Sequence, residues 1–237
     1  MMNDDLAYLQ TWEQWTRFFS ALVHQLRTPF ASIRMLADLL AEAPQSHLGD
    51  QERRYSEHIQ DVVQDLQALV GDVGELVRLM TSGVQIRPEE IGLEKLVNEV
   101  DAVVRPRAWE GGIALTNCLA FALPAFFRAD RDRLRKVLVL LLSAAVSHAK
   151  SEVLFRLDMD AIGLRATISS DGLPIPEGTS QVLFEPFHES VRIFTQRGNS
   201  SLSLPLAHEL ARALGGVLCA ENREGKPVFD LSLPAAG

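Results

Sequence analysis

The stretch ALVHQLRTPFASI, residues 21–33, sets His24, Arg27 and Thr28 within little more than one helical turn. At 1.5 Å of rise per residue, His24 and Thr28 share a helix face about 6 Å apart. Arg27, three residues on from the histidine, can neutralise an oxygen of a phosphoryl group held on the imidazole. Pro29 removes a backbone donor and predicts a bend just after His24. Outward from this stretch, Trp15, Phe18, Phe19, Leu22, Leu26, Phe30, Ile33, Leu36, Ala37 and Leu40 recur in steps of three and four, the period of one apolar helical stripe. PQSHLGD, 44–50, breaks the pattern. A second run with the same spacing, Ile59, Val62, Val63, Leu66, Leu69, Val70, Val73, Leu76, Val77 and Met80, ends at TSG, 81–83. Two long helices with a short connection predict an antiparallel hairpin over 1–83. A hairpin cannot cover its own stripe, whereas two can as a four-helix bundle, so a homodimer is expected.

The 237 residues are 47% hydrophobic and 23% charged, with a formal net charge of −8, an ordinary globular composition. The acidic balance argues against nucleic acid as a partner and for partners with basic patches. Over residues 1–81 twelve acids face six Lys and Arg, which predicts an acidic bundle surface. Cys118 and Cys219 lie in apolar stretches without metal-site spacing and read as buried thiols. The amino-terminal MMNDDLAYLQ lacks the basic start and apolar core of a secretory signal. The longest apolar run, VLVLLLSAAV at 137–146, falls short of the ~20 residues that span a bilayer. The chain is therefore expected to be cytoplasmic, without direct membrane insertion.

After Gly83 the periodicity changes. A helical pattern runs from Leu93 to about Ala108, followed by the strand-like IALTNCLAFAL. A strong helix spans Asp130 to His148, with Leu134, Val137, Leu138, Leu141, Leu142 and Ala145 inward. SEVLFRLDMD and IGLRATISS alternate as paired strands around Asp160. LAHELARALGG reads as a helix closed by glycine, and VLCAENREGKPVFDLSLP as a hairpin turning at Glu224-Gly225. Residues 84–237 thus predict an α/β sandwich, helices on one side of a mixed sheet.

One histidine on a helix is most often structural, and its company carries the case here. HQLRTP, after an aromatic-rich lead-in and before a long apolar helix, resembles the phosphoacceptor box of two-component sensor histidine kinases. LFEPF, 183–187, resembles the phenylalanine box of that family, and LAHELARALGG the helix that closes its nucleotide site. The resemblance runs from about residue 10 to 233. It implies that His24 carries a phosphoryl group on a ring nitrogen. The following residue, usually an acid acting as base, is Gln25, whose amide can orient the ring but cannot take its proton. Thr28 corresponds to the residue that helps place a water for dephosphorylating a receiver.

The nucleotide boxes depart from the family pattern. On the helix 130–148 the resemblance puts Leu140 and Ala144 where asparagines coordinate magnesium, and neither offers an oxygen to a hard cation. In SSDGLPIP, 169–176, anchoring on Ile175 and Pro176 places Ser170 at the adenine-recognising aspartate and Pro174 at the second glycine. Anchoring on Asp171 shifts the match by one residue. In RGNSSLSLPLA, 197–207, Ser201 and Ser203 take glycine positions, which restricts close approach of the backbone to phosphate. ATP and magnesium binding are therefore expected to be lost, with no cofactor and with magnesium supplied by the receiver partner.

The expected function is accordingly that of a histidine phosphotransferase with a defunct ATP site. It would exchange a phosphoryl group between His24 and an aspartate of response-regulator receiver domains, without ATP-dependent autophosphorylation. Arg27, Thr28 and Gln25 would support His24. Two alternatives stay open: a non-catalytic pseudokinase regulator, pairing with a sensor histidine kinase or a response regulator, or a receiver phosphatase acting through Thr28 and Gln25. An active soluble histidine kinase stands behind both.

Overall fold

The computed structural model describes residues 22, 26–27, 29–37, 40, 49–81, 85–121, 123–186 and 202–235. The chain divides into two compact units, residues 1–71 and 72–237. In the first, residues 29–37 are helical, and the expected bend after His24 falls outside the described residues. The helix α1, Asp50–Thr81, continues past the division and starts earlier than the apolar run at Ile59 suggests. Leu36 and Leu69 are buried, whereas Phe30, Met35, Val63 and Val70 keep exposed side chains.

The second unit is an α/β sandwich. Its five-stranded sheet contains β2 (Ala114–Leu119), β4 (Glu152–Met159), β5 (Gly163–Ser170), β6 (Val217–Arg223) and β7 (Lys226–Pro234). The spatial order is β2-β4-β5-β7-β6. β2 and β4 run parallel, from Ala114 opposite Glu152 to Leu119 opposite Leu157, and every other pair is antiparallel. A parallel pair needs a crossover. It passes through β3 (Phe126–Ala129) and α3 (Arg131–His148).

Alternation decides which face is covered. Val153, Phe155 and Leu157 of β4, Leu164, Ala166 and Ile168 of β5, and Phe229, Leu231 and Leu233 of β7 are buried toward the helices. The helix layer supplies Leu96, Val97, Val100 and Val104 from α2 (Leu93–Glu110), and Leu134, Val137, Leu138, Leu141, Leu142 and Ala145 from α3. Leu206 and Leu210 come from α4 (Ser203–Ala213). Asp130 caps α3, its Oδ1 accepting from Arg133 N at 3.2 Å while Arg87 N donates to its Oδ2 at 3.0 Å. Burial alone would raise the Asp130 pKa, but these two amides and the Arg133 guanidinium hold it below the ordinary carboxylate value.

The hairpin β6–β7 turns at Glu224 and Gly225, at φ 52° and 75°, the left-handed pair that a tight hairpin turn requires. Two features go beyond the sequence pattern. β1 (Glu89–Gly92) pairs antiparallel with β3 as a separate two-stranded sheet. Cys219 is exposed and Cys118 half-buried, against the expectation of buried thiols. Both stand a whole number of pleats from the exposed ends of their strands, so alternation turns them away from the helix layer.

Candidate functional site

The site is built where β5, α3 and α4 end or begin. Beyond β5 the chain is pinned at three points. Asp171 turns back to the connection between α3 and β4: its Oδ1 accepts from Lys150 N, Ser151 N and Glu152 N at 2.9, 3.0 and 3.1 Å, and its Oδ2 from Ser151 Oγ at 2.6 Å. Burial opposes ionisation, but the Ser151 hydroxyl and these amides outweigh it and hold the carboxyl well below the usual range. The second pin is His148, whose Nε2 lies 2.6 Å from Leu173 O. A Cβ on Gly172 would meet the His148 ring and carbonyl at 2.5 Å, so only glycine fits there. The third is Asn222 on β6, whose Oδ1 and Nδ2 take Ile175 N and Ile175 O, each at 2.8 Å.

Ser170 lies just before these pins. It follows Leu164, Ala166 and Ile168 on the helix-facing side of β5 and is 4% exposed. Its hydroxyl has no hydrogen-bond partner among the described residues. The first residue of α4, Ser203, is 5% exposed. Below α4, residues Val182–Phe184 form a single 3-10 turn, and the Phe184 ring stacks on His208 of α4 with centroids 4.9 Å apart. The start of the LFEPF box is thereby tied to the helix after it.

Along α3, Ala144 is 1% exposed and packs into the core, and Leu140 is half-buried. Pro174 is exposed. The basic side chains at the start of α3 are paired: Arg131 with Glu99 at 2.6 Å, Arg133 with Asp130, and Lys136 with Glu75 and, at 3.3 Å, with Asp72. Burial is the main cause raising the Asp72 pKa, and Lys136 opposes it. This cluster is a salt-bridged helix face. Arg27 is helical and exposed, while His24, Gln25, Thr28 and Ser201 lie outside the described residues. No group of three or more His, Cys, Asp or Glu that could hold a metal ion occurs among the described residues, and no helix among them is long and apolar enough to cross a membrane.

Residues 14–82 match the His Kinase A (phospho-acceptor) domain. Residues 129–237 match the histidine kinase-, DNA gyrase B-, and HSP90-like ATPase family. The sensor histidine kinase AruS of Pseudomonas aeruginosa is 30% identical over 218 residues, which cover 89% of this chain and 22% of AruS. The chain thus spans about a fifth of that relative's length. Full-length ShkA in complex with AMPPNP is similar with a TM-score of 0.65 and 25% identity, covering 92% of this chain and 46% of ShkA. The histidine kinase ThkA, solved with the response regulator TrrA, gives a TM-score of 0.70 at 19% identity over 97% of this chain and 66% of ThkA.

The fold is that of the histidine kinases, a helical region followed by the ATPase-type α/β sandwich. The two family matches place a phospho-acceptor region, 14–82, and an ATPase-type region, 129–237, in one chain.

These matches overturn the expectation of a degenerate, phosphotransferase-like relative with a defunct ATP site, and with it the pseudokinase alternative. They imply a retained capacity for ATP and magnesium, so the expected loss of both fails. The physical reason is that a changed letter in a box need not remove what the box does. Magnesium arrives on a triphosphate and keeps several waters, so the protein supplies few ligands. Hydroxyls at Ser170 and Ser203 can hydrogen-bond a nucleotide where an aspartate and a glycine are usual. The contacts by which Asn222 and His148 hold the loop after β5 went unread because nothing in the local sequence marks a partner 47 or 25 residues away.

Proposed function

We propose that this chain is the transmitter part of a two-component histidine kinase, taking the γ-phosphoryl group of ATP onto His24 and delivering it to a receiver aspartate. The observation that carries this reading is the order of the two domain matches along one chain, phospho-acceptor first and ATPase second. In this reading residues 1–83 present the histidine and 84–237 bind the nucleotide.

His24 attacks the phosphoryl group through a ring nitrogen, Arg27 neutralises a non-bridging oxygen, and Gln25 orients the imidazole through its amide. Thr28, on the histidine's face, positions water when the phosphorylated receiver is hydrolysed. Exposed Phe30, Met35, Val63 and Val70 support a homodimer in which these side chains meet. A response-regulator receiver domain is the partner, in keeping with the regulator found on ThkA.

The test is incubation of the purified protein with γ-labelled ATP and magnesium. Acid-labile, alkali-stable label is expected on the wild type and none on His24→Gln. A wild-type protein that takes up no label, while remaining folded and nucleotide-bound, would overturn the reading.

A further inference from the structure

The end of β5 carries a polar group that nothing else among the described residues employs. Ser170 is 4% exposed, on the helix-facing side of the sheet, and its hydroxyl has no partner among the described residues. The adjacent carboxylate is not available in its place: both oxygens of Asp171 are taken by residues 150–152. The loop beyond is fixed by His148 at Leu173 and by Asn222 at Ile175. Where the related kinases are expected to present an acceptor-only carboxylate to the base, this chain presents a rotor.

The difference decides which purine is tolerated. A carboxylate accepts hydrogen bonds and donates none, so it favours the 6-amino group of adenine and repels the 6-oxo group of guanine. A serine hydroxyl accepts in one rotamer and donates in another. It can therefore meet either group at the same position without leaving a buried polar atom unpaired, the penalty from which strong discrimination comes. We infer that Ser170 is the base-reading residue of this chain and gives its nucleotide site a relaxed purine specificity, accepting GTP as well as ATP.

This inference rests on the proposed nucleotide-dependent kinase. The experiment is calorimetric titration of the full chain with ATP and with GTP, each with magnesium, for wild type, Ser170→Asp and Ser170→Ala. The expected result is GTP affinity within about tenfold of ATP in the wild type. Ser170→Asp should weaken GTP by about 100-fold or more relative to ATP. Ser170→Ala, the smaller change should the aspartate disturb folding, should weaken both nucleotides by about tenfold. ATP binding with GTP more than tenfold weaker overturns the inference and leaves the kinase reading standing, as does an unchanged ratio in a folded Ser170→Asp protein or unchanged affinities in Ser170→Ala. Binding of neither nucleotide by the wild type overturns the kinase reading itself.

Discussion

The Phe184 ring lies stacked on the His208 imidazole, 4.9 Å between centroids and 17° between planes. The contact joins the 3-10 turn at 182–184 to the second turn of α4, whose first residue is the buried Ser203. Stacked aromatic pairs contribute about 0.5–1.5 kcal/mol beyond the area they bury. His208→Ala is expected to lower unfolding free energy by about 1 kcal/mol, read as a shift in urea midpoint at unchanged slope. In a double-mutant cycle with Phe184→Leu the coupling should recover about that amount. A cycle that closes to zero would show that the two elements are held together by other contacts.

Acid should weaken the second unit, and the sign follows from two carboxylates. Asp130 and Asp171 both titrate below the ordinary value of 3.8 in the folded chain. Below about pH 4 the unfolded chain therefore binds more protons than the folded one, so stability rises with pH through that range. Their contribution is complete above the unfolded value and is lost as pH falls through the folded ones. Asp171→Asn removes the ionised acceptor of Lys150, Ser151 and Glu152. For this partly solvated group the cost at pH 7 is about 1 kcal/mol after screening. Measured by chemical denaturation from pH 7 to pH 2, the variant should show a shallower loss than the wild type. Parallel curves would remove Asp171 from the account.

How much of this was legible in the residues depends on what each element does. Elements that bury one face announce themselves by period: α3 shows Leu134, Val137, Leu138, Leu141 and Leu142, and β4 alternates Val153, Phe155 and Leu157, because burial imposes the spacing. Strands β1 and β3 escape this signal, since four residues such as Glu89, Glu90, Ile91 and Gly92 are too few to show alternation. The nucleotide boxes were misleading in their chemistry, since the expected loss of ATP and magnesium binding fails. Leu140 and Ala144 do read as core, and Ala144 is core; to infer lost nucleotide binding from them treats a ligand position as if no hydroxyl, main-chain group or water could replace it. Contacts such as Asn222 to Ile175 depend on register between distant strands, which no local pattern encodes.

Assembly is open to a direct check. On α1, Val63 and Val70 are 37% and 60% exposed, and on the preceding helical residues Phe30 and Met35 are 60% and 59% exposed. Apolar area of this kind on long helices is stabilised by a second copy. Sedimentation at micromolar concentration is expected to give twice the 26.2 kDa chain mass. Leu66→Asp places a carboxylate among these side chains, where an unpaired charge costs several kcal/mol, about 3 or more, and should yield monomer that keeps the sandwich's circular dichroism. A wild-type monomer at that concentration would rule out the bundle.

The last prediction concerns the one position beside His24 where the chain departs from an acid. For imidazole to attack a phosphoryl group, the proton on its far nitrogen must be stabilised or removed as positive charge builds on the ring. A glutamate can accept that proton or balance the charge; the amide of Gln25 can only accept a hydrogen bond from it. General-base assistance contributes about 10²–10⁴-fold where fully developed, and an amide that still orients the ring forfeits part of that range. Gln25→Glu should therefore raise the rate of label transfer from ATP to His24 by about tenfold, with ATP affinity unchanged because the substitution is in the phospho-acceptor domain. The gain should shrink as pH falls below the glutamate's own titration, near pH 4.3 for an unperturbed side chain, and this pH profile separates a base from a merely repositioned ring. Gln25→Leu supplies the control in the other direction: a slower rate in that variant and a faster one in Gln25→Glu place the limit on proton handling at His24, whereas equal rates in all three place it on delivery of the nucleotide.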